Sequence, residues 1–291
     1  MKRSLLFLIT VGVLAAPLLI WFGSDSRQDD PLDVLDKYLT VLYARDFRQA
    51  YNYISAADRE LKSRTEYVRE RGAFEGVALD AARKLSDLIE TQPVDQRVDG
   101  PLNRITVGLK LPDANAVSDL LLGWDESRLN ALPSSEQKKL LANVERLVRQ
   151  RKVPMIEGEE KFVLIREGSQ WKVFLDWASG VQVKFATTLP ANSAVEAEPV
   201  TKETVVRSGD VFTVGFKVKN AGTNEVVTRI VHRVNPEAMS QYLDLVECAL
   251  LLPVRLRPGE EQIFNSTYVI RGDLPDNTKS VAVNYDFQLQ N

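Results

Sequence analysis

Three side chains in the C-terminal third of the chain have the chemistry to bind a soft metal ion. Cys248 is the single cysteine, His232 is the single histidine, and Met239 lies between them. Thiolate, imidazole and thioether groups together suit Cu(I). One interpretation is therefore a metal site of these three residues within one chain. Another is a site shared by a homodimer, in which each chain supplies one Cys248 thiolate.

The same three residues also have a structural interpretation. Cys248 lies in the apolar run Val-Glu-Cys-Ala-Leu-Leu-Leu, where a cysteine commonly acts as a small buried hydrophobe. His232 stands between Val231 and Arg233 in a strand-like segment, and Met239 falls in a loop or turn. Because one thiolate per chain is a poor copper site, we expect Cys248 to be mainly structural, with copper binding that needs a second chain.

Signatures of other chemistry are missing from the sequence. A single histidine rules out a His-Glu-x-x-His motif, and the chain has no Gly-x-x-x-x-Gly-Lys, Gly-x-Ser-x-Gly or Cys-x-x-Cys pattern. The 37 basic and 40 acidic residues nearly cancel and no long basic run stands out, so we expect no nucleic acid partner. The sequence predicts a protein that is not an enzyme.

The N-terminus predicts a membrane anchor. Lys2 and Arg3 precede an uncharged apolar stretch, 4–22, which is long enough to cross a hydrocarbon core of roughly 30 Å as a helix. A cleaved signal peptide is the competing interpretation. Because the basic residues come before the span, we expect segment 1–23 to be a cytoplasmic tip and single-pass transmembrane helix in a bacterial inner membrane, with the bulk of the chain in the periplasm.

Region 24–186 predicts an α+β domain, because short helices come before antiparallel strands. Helices are expected after the capping residues Asp30, Asp46 and Ser55. Strands are expected at 83–98, 104–111, 161–166 and 171–177. The insertion 113–152 is expected to hold a helix at 114–123 and a second helix from Ser134 to Lys152, which opens with a Ser134-x-x-Gln cap.

This order of elements resembles the cone-shaped fold of the SnoaL-like and nuclear transport factor superfamily. The resemblance is carried by the opening DPLDVLDKYLTVLYARDFRQAYNYIS and the closing hairpin FVLIREGSQWKVFLDW. Members of that superfamily use the cavity of the cone for catalysis, ligand binding or docking, so the fold alone assigns no function. Tyr38, Tyr51 and Asp176 are the polar residues that such a cavity would need here, although aromatic residues at helical spacing usually belong to a core.

A segment of small and polar residues, 187–200, predicts a linker, and the hydrophobic period changes to two beyond it. Phe212, Val214, Phe216 and Val218 alternate with polar or small residues, and Val281 to Leu289 alternate in the same way. Region 201–291 therefore predicts an all-β, immunoglobulin-like sandwich. We expect the parts on either side of the linker to fold independently.

The sandwich region, about 210 to 288, resembles the periplasmic domain of the CtaG family, the copper-assembly factors of cytochrome c oxidase. The counterparts of the family's landmarks stand in the family's order: Val218-Lys219-Asn220, Asn235-Pro236, Tyr242-Leu243, Cys248-Ala249-Leu250, Leu256-Arg-Pro-Gly-Glu260, Phe264-Asn265-Ser266 and Val283-Asn-Tyr-Asp-Phe287.

This resemblance implies a single membrane span, a periplasmic sandwich and a site that holds Cu(I) with two thiolates. Here Cys248 keeps the first thiolate position, whereas Leu250 stands at the second and Phe264 replaces a methionine. We therefore expect a membrane-anchored assembly or chaperone-like protein with a degenerate copper site and a respiratory oxidase subunit as partner. The alternatives are a non-metal periplasmic scaffold for protein interaction and a small-ligand-binding cone domain.

The anchor interpretation makes the first testable prediction. Because the apolar stretch has no good cleavage site before Gly23 and its basic flank is N-terminal, the mature protein should retain segment 1–23. Mass spectrometry of the intact protein purified from membranes measures this directly. A mature chain that begins near residue 24 would show a cleaved signal peptide instead.

Overall fold

The computed structural model describes residues 30–272, 274–275 and 278–290. The predicted transmembrane helix lies outside these residues. Within them, no helix combines the length and the apolar character needed to cross a bilayer. The described chain is α+β, as predicted: its helices precede or interrupt one antiparallel sheet, and its C-terminal part consists mainly of strands.

The helices follow one another closely before the first strand, and two more lie in the insertion that was expected between the strands. They are α1 (Pro31–Tyr43), α2 (Phe47–Ala50), α3 (Ala56–Leu61), α4 (Arg64–Arg71), α5 (Gly76–Ser86), α6 (Glu126–Ala131) and α7 (Ser134–Arg149).

The capping residues predicted for the first three helices are confirmed. Asp30 accepts a hydrogen bond from the backbone N–H of Leu32, and Asp46 and Ser55 cap α2 and α3 in the same way. These side chains satisfy N–H groups that have no partner inside the helix. The apolar stripe of α1, with Leu35 and Leu39 fully buried, packs against the sheet.

The first sheet has four strands in sequential, antiparallel order. The strands are β1 (Glu90–Asp99), β2 (Leu102–Pro112), β3 (Met155–Glu167) and β4 (Gln170–Val173). The strand expected at 83–98 was placed too early, because α5 extends to Ser86. Its alanines Ala78, Ala81 and Ala82 lie at helical spacing on one buried face, a pattern that the strand prediction overlooked.

The insertion differs from its prediction in two details. A 3-10 segment, Asp119–Trp124, replaces most of the helix expected at 114–123. The N-cap residue of α7 is Pro133, with no side-chain capping bond, so the predicted Ser134 cap is wrong. Leu140 and Val144 of α7 are buried against α5, which gives this part of the protein a second small core.

The C-terminal part forms two further sheets around one core. One has the order β10-β12-β8-β6, and the other has the order β11-β9-β13-β5-β7, in which β13 and β5 are parallel. The strands are β5 (Val181–Thr188), β6 (Val195–Pro199), β7 (Glu203–Val206), β8 (Val211–Asn220), β9 (Val226–Asn235), β10 (Leu243–Cys248), β11 (Val254–Leu256), β12 (Glu261–Ile270) and β13 (Ser280–Gln290).

The alternation predicted in this part is confirmed. Phe212, Val214, Phe216 and Val218 of β8 are buried, and Val281, Val283, Tyr285 and Phe287 of β13 are buried in the same core. Residues of both sheets contribute to that core, so the sheets pack face to face.

The segment predicted as a linker, 187–200, is largely built into these sheets. It contains the end of β5 and all of β6, and β6 pairs with β8. Small and polar residues at the edge of a sheet carry little hydrophobic periodicity, which is why this segment resembled a linker. The C-terminal sheets therefore begin at Val181, and independent folding of the two parts stays a prediction.

A buried carboxylate holds the chain where it passes from the first sheet to the second part. Asp58 is 1% exposed. It accepts hydrogen bonds from the backbone N–H of Leu175 at 2.8 Å, the backbone N–H of Trp177 at 2.8 Å and the hydroxyl of Ser55 at 2.6 Å. The segment after β4 is thus fixed against α3.

Replacing Asp58 with alanine should destabilise the whole fold. The substitution leaves two buried backbone N–H groups without an acceptor, for which we expect a loss of about 3 kcal/mol in the free energy of unfolding. Chemical denaturation of the full chain measures it. The matched control is Glu60→Ala, an exposed position on the same helix, which should change stability by less than about 0.5 kcal/mol. Equal effects of the two substitutions would contradict this role of Asp58.

Candidate functional site

Cys248 is the last residue of β10 and is half-buried. It stands opposite Ser266 of β12 in the antiparallel ladder. Its side chain packs against the C-terminal core, and it forms no disulfide. The position is therefore intermediate between the buried hydrophobe and the accessible ligand that the sequence left as alternatives.

Two tyrosines extend a polar contact from Cys248 into the core. The hydroxyl of Tyr285 lies 3.7 Å from Cys248 Sγ, and the hydroxyls of Tyr268 and Tyr285 are 2.6 Å apart. Both rings are completely buried. Burial raises the pKa of both hydroxyls well above the ordinary value for tyrosine, so they stay protonated at neutral pH. Phe216 stacks on the Tyr285 ring at a centroid distance of 3.9 Å.

His232 contacts the same pair of tyrosines. Its ring centroid lies 5.7 Å from that of Tyr268 and 5.8 Å from that of Tyr285, opposite which it stands in the ladder between β9 and β13. Burial lowers the pKa of the imidazole, which favours the neutral form that binds metals. Its Nε2 atom is buried and has no hydrogen-bond partner.

Met239 has a different environment. It lies in a 3-10 turn, Glu237–Tyr242, and is half-buried against the same core. Its sulfur accepts a long contact of 3.8 Å from the Thr278 hydroxyl. The structure thus links Cys248 and His232 through Tyr285. Met239 instead has a polar contact with Thr278. Among the described residues, no cluster of three or more His, Cys, Asp or Glu side chains is arranged to hold a metal ion.

The two positions where ligands were expected to be missing are occupied by core residues. Leu250 lies in a 3-10 turn, Ala249–Leu251, and is fully buried. Phe264 of β12 is also buried in the core. Neither position offers a donor atom toward Cys248, so any second strong ligand must come from elsewhere.

Exposed apolar side chains flank Cys248 along the chain. Val246 is 63% exposed, Leu251 is 47% exposed and Leu252 is 71% exposed. The sequence pattern indicated a buried run, since a short continuous apolar stretch has no periodicity that distinguishes its buried from its exposed residues. Apolar residues grouped at a surface are typical of interaction sites.

The tyrosine pair was missed as a polar feature. In the sequence, Tyr285 stands out as an apolar member of an alternating strand and as part of the landmark Val283 to Phe287, but nothing there marks its hydroxyl or that of Tyr268 as a polar feature. The usable signal was the inward position of a tyrosine on each of two strands, since a buried hydroxyl normally finds a hydrogen-bond partner.

The three residues considered for a cone cavity do not converge on one. Tyr38 and Tyr51 are buried in the core between the helices and the first sheet. Asp176 is partly exposed and accepts a hydrogen bond from the Ser179 hydroxyl at 2.7 Å. These tyrosines are core residues, as their helical spacing indicated.

A known protein family matches most of the C-terminal part. Residues 157–288 match the family described as cytochrome c oxidase assembly protein CtaG/Cox11. The chain therefore carries a CtaG/Cox11 domain, and the resemblance stated from the sequence is confirmed. The match begins within β3, well before the stretch on which that resemblance was based.

A curated relative agrees with this assignment. The cytochrome c oxidase assembly protein CtaG of Sinorhizobium fredii (strain NBRC 101917 / NGR234) is 23% identical over 112 residues, which cover 37% of this chain and 56% of that protein. This chain thus spans a little over half the length of the relative.

Solved structures give only distant likenesses. The alpha-2-macroglobulin of E. coli in its native conformation has a TM-score of 0.22 at 12% identity, covering 68% of this chain and 17% of that chain. A mutant of the Salmonella alpha-2-macroglobulin has a TM-score of 0.23 at 11% identity, covering 69% and 16%. Such low scores carry no argument about fold or function.

The hydroxyl of Tyr285 should stabilise the C-terminal core. Tyr285→Phe keeps the ring but leaves the buried Tyr268 hydroxyl without its partner and removes the contact to Cys248, so we expect a loss of about 1 to 3 kcal/mol in the free energy of unfolding. Denaturation of the full chain measures this. Tyr242→Phe, at a partly exposed position of the same part, is the control and should be nearly neutral. A Tyr285→Phe variant as stable as the wild type would exclude a stabilising hydroxyl pair.

Proposed function

We propose that this protein is a membrane-anchored periplasmic factor that assists the assembly of a respiratory oxidase. The CtaG/Cox11 match over 157–288 carries the proposal, because both the family and the curated relative are described as cytochrome c oxidase assembly proteins. The function is binding and delivery rather than catalysis. The basic residues before the apolar stretch 4–22 support a cytoplasmic N-terminus and a periplasmic location for the rest.

The finer architecture belongs to the same proposal. Helices that share a core with an antiparallel sheet support a SnoaL-like cone for the first part, and two sheets around one core support an immunoglobulin-like sandwich for the second. In this arrangement the sandwich supplies the assembly function, and the cone is a module inserted between the anchor and the sandwich.

Copper is cargo in this proposal, held at a degenerate site. Each chain offers one thiol, Cys248, which contacts the Tyr285 hydroxyl, and the neutral His232 imidazole lies against the Tyr285 ring. This donor set suits Cu(I) but is too small for one chain to hold the ion tightly. A Cys248 from a second chain completes a two-thiolate site, and His232 and Met239 are the next candidates as ligands.

The surroundings of Cys248 support a protein partner at this position. Val246, Leu251 and Leu252 are exposed and lie on both sides of Cys248 in the chain. Their apolar surface suits a partner that covers the thiol when it docks, which excludes water and keeps Cu(I) with its sulfur ligands. We assign this surface to an oxidase subunit. A scaffold that binds the partner without any metal is the rival function.

Competition titration with Cu(I) tests the copper role. The full chain in lipid nanodiscs should bind at most one ion per two chains, and Cys248→Ser should abolish this binding. Ser266→Ala, at the position opposite Cys248, is the control that keeps the thiol. No binding by the wild type would favour the non-metal scaffold. Tight binding of one ion per chain would show instead that Cys248 is a primary ligand within a complete monomeric site.

Affinity capture from membranes tests the partner. The tagged wild-type chain should retain an oxidase subunit, and Leu252→Lys should reduce the retained amount at least fivefold, because a charge in an apolar interface must lose its hydration. Val98→Lys is the control, since Val98 is 64% exposed on β1, in the other part of the protein. Equal capture by both variants would remove the surface around Cys248 from the proposal.

A further inference from the structure

A cavity of about 370 Å³ opens in the helical part, away from the CtaG/Cox11 domain's cysteine. It lies between the end of α1, one face of α5 and the adjoining ends of β2 and β3, and the insertion closes one side. Its wall is mostly apolar and includes Phe74, Leu85, Ile89, Leu111, Trp124 and Ile156. The volume is at the lower end of the range that small-molecule sites occupy.

One wall of the cavity is held by strained backbone. Leu122, Gly123 and Trp124 all have positive φ angles, of 51°, 73° and 60°. For the two residues with side chains this costs about 1 to 2 kcal/mol each. The conformation stacks the Trp124 indole on Phe74 at 5.7 Å, with 8° between the rings, and lets its N–H donate to the carbonyl of Ala114 at 3.0 Å. Such strain commonly marks functional positions.

Arg45 places a positive charge at this apolar cavity. Its guanidinium carbon lies 4.4 Å from the centroid of Phe74, and one of its nitrogens donates to the carbonyl of Arg71 at 3.2 Å. Burial lowers its pKa, and the negative charge of Glu126 partly offsets this effect, but the group stays cationic at neutral pH. No carboxylate in the described part of the chain forms an ion pair with Arg45.

The other charged group of the cavity lining, the Asp113 carboxylate, already accepts hydrogen bonds from the protein. Asp113 accepts hydrogen bonds from the backbone N–H groups of Asn115 and Ala116 at 3.0 and 3.2 Å, which closes a local turn. Its carboxylate is therefore tied to backbone donors, whereas most of the N–H donors of Arg45 remain available to a ligand. The cavity thus combines an aromatic, apolar body with one cationic end.

We propose that this cavity binds a small amphiphilic monocarboxylate. The apolar part of the ligand packs between the Phe74 and Trp124 wall and the face of α5, and its carboxylate meets the planar guanidinium of Arg45, whose paired N–H groups match two oxygens. The volume limits the ligand to a short chain or a single ring system. This binding is separate from the assembly function and does not involve Cys248.

Octanoate is the probe, titrated into the full chain in lipid nanodiscs and followed by saturation-transfer NMR, with empty nanodiscs as the blank. Octanoate should bind saturably and at least tenfold more tightly than octylammonium, which has the same tail and the opposite charge. Arg45→Gln should weaken octanoate binding at least tenfold. Arg48→Gln is the matched control, because Arg48 follows closely in the chain but pairs with Glu75 outside the cavity lining.

A filling substitution locates the ligand. Ile156→Trp places a larger ring at a position that is 51% exposed and lines the cavity, so it should block octanoate without unfolding the protein. Arg45→Lys, which keeps the charge but loses the planar fork, serves if Arg45→Gln lowers the melting temperature. Absence of saturable octanoate binding, equal affinity for the two charges, or unchanged binding after both filling and Arg45 substitution would each overturn the assignment.

Discussion

The fold depends on one buried carboxylate that joins two distant parts of the chain. Asp58 lies in the first turn of α3, where its backbone N–H donates to the Ser55 hydroxyl. Its carboxylate accepts the backbone N–H groups of Leu175 and Trp177, which lie more than a hundred residues later. These bonds end the first sheet at β4 and direct the chain toward β5. Trp177 then packs on Tyr67 at 5.7 Å, and the Lys62 ammonium lies 4.7 Å from its ring. A buried charge with three donors is stable, whereas the same charge without them would be costly.

The segment between β4 and β5, which Asp58 holds in place, also affects the site around Cys248. The strand that follows it, β5, lies beside β13 in parallel pairing, with Thr187 opposite Tyr285. Further contacts cross between the two parts: Arg71 lies 3.7 Å from Asp210, and Arg207 donates to the carbonyl of Leu175 at 2.7 Å. Because β13 places the Tyr285 hydroxyl beside Cys248, a shift of β5 would disturb the core on which the thiol rests. The helical part therefore supports the CtaG/Cox11 domain and is more than a spacer before it.

Local signals in the sequence predicted much of the fold, whereas contacts between residues that are far apart in the chain could not be predicted from it. The caps Asp30, Asp46 and Ser55 act within a few residues, so their side chains could be identified from spacing alone. The alternation around Phe216 likewise reports burial directly. The bonds from Asp58 to Leu175 and Trp177 connect segments that no local pattern relates. The strand β6 resembled a linker because it is held in the sheet by pairing with β8, which its own sequence does not indicate. The hydroxyl contact of Tyr285 could not be predicted, because a tyrosine in an alternating strand counts as apolar.

Cys248 lies at the boundary between the C-terminal core and the surface, and its polar contact is on the core side. On the inner side of the sheet the thiol meets the Tyr285 hydroxyl, which stays protonated because burial raises its pKa. A protonated hydroxyl can donate to sulfur but is a poor ligand for a soft ion. Leu250, two residues further along the chain, is fully buried in the core. The described contacts of Cys248 thus give it a polar partner inside the core but no second sulfur ligand, while Val246 and Leu252, which lie near it in the chain, are exposed.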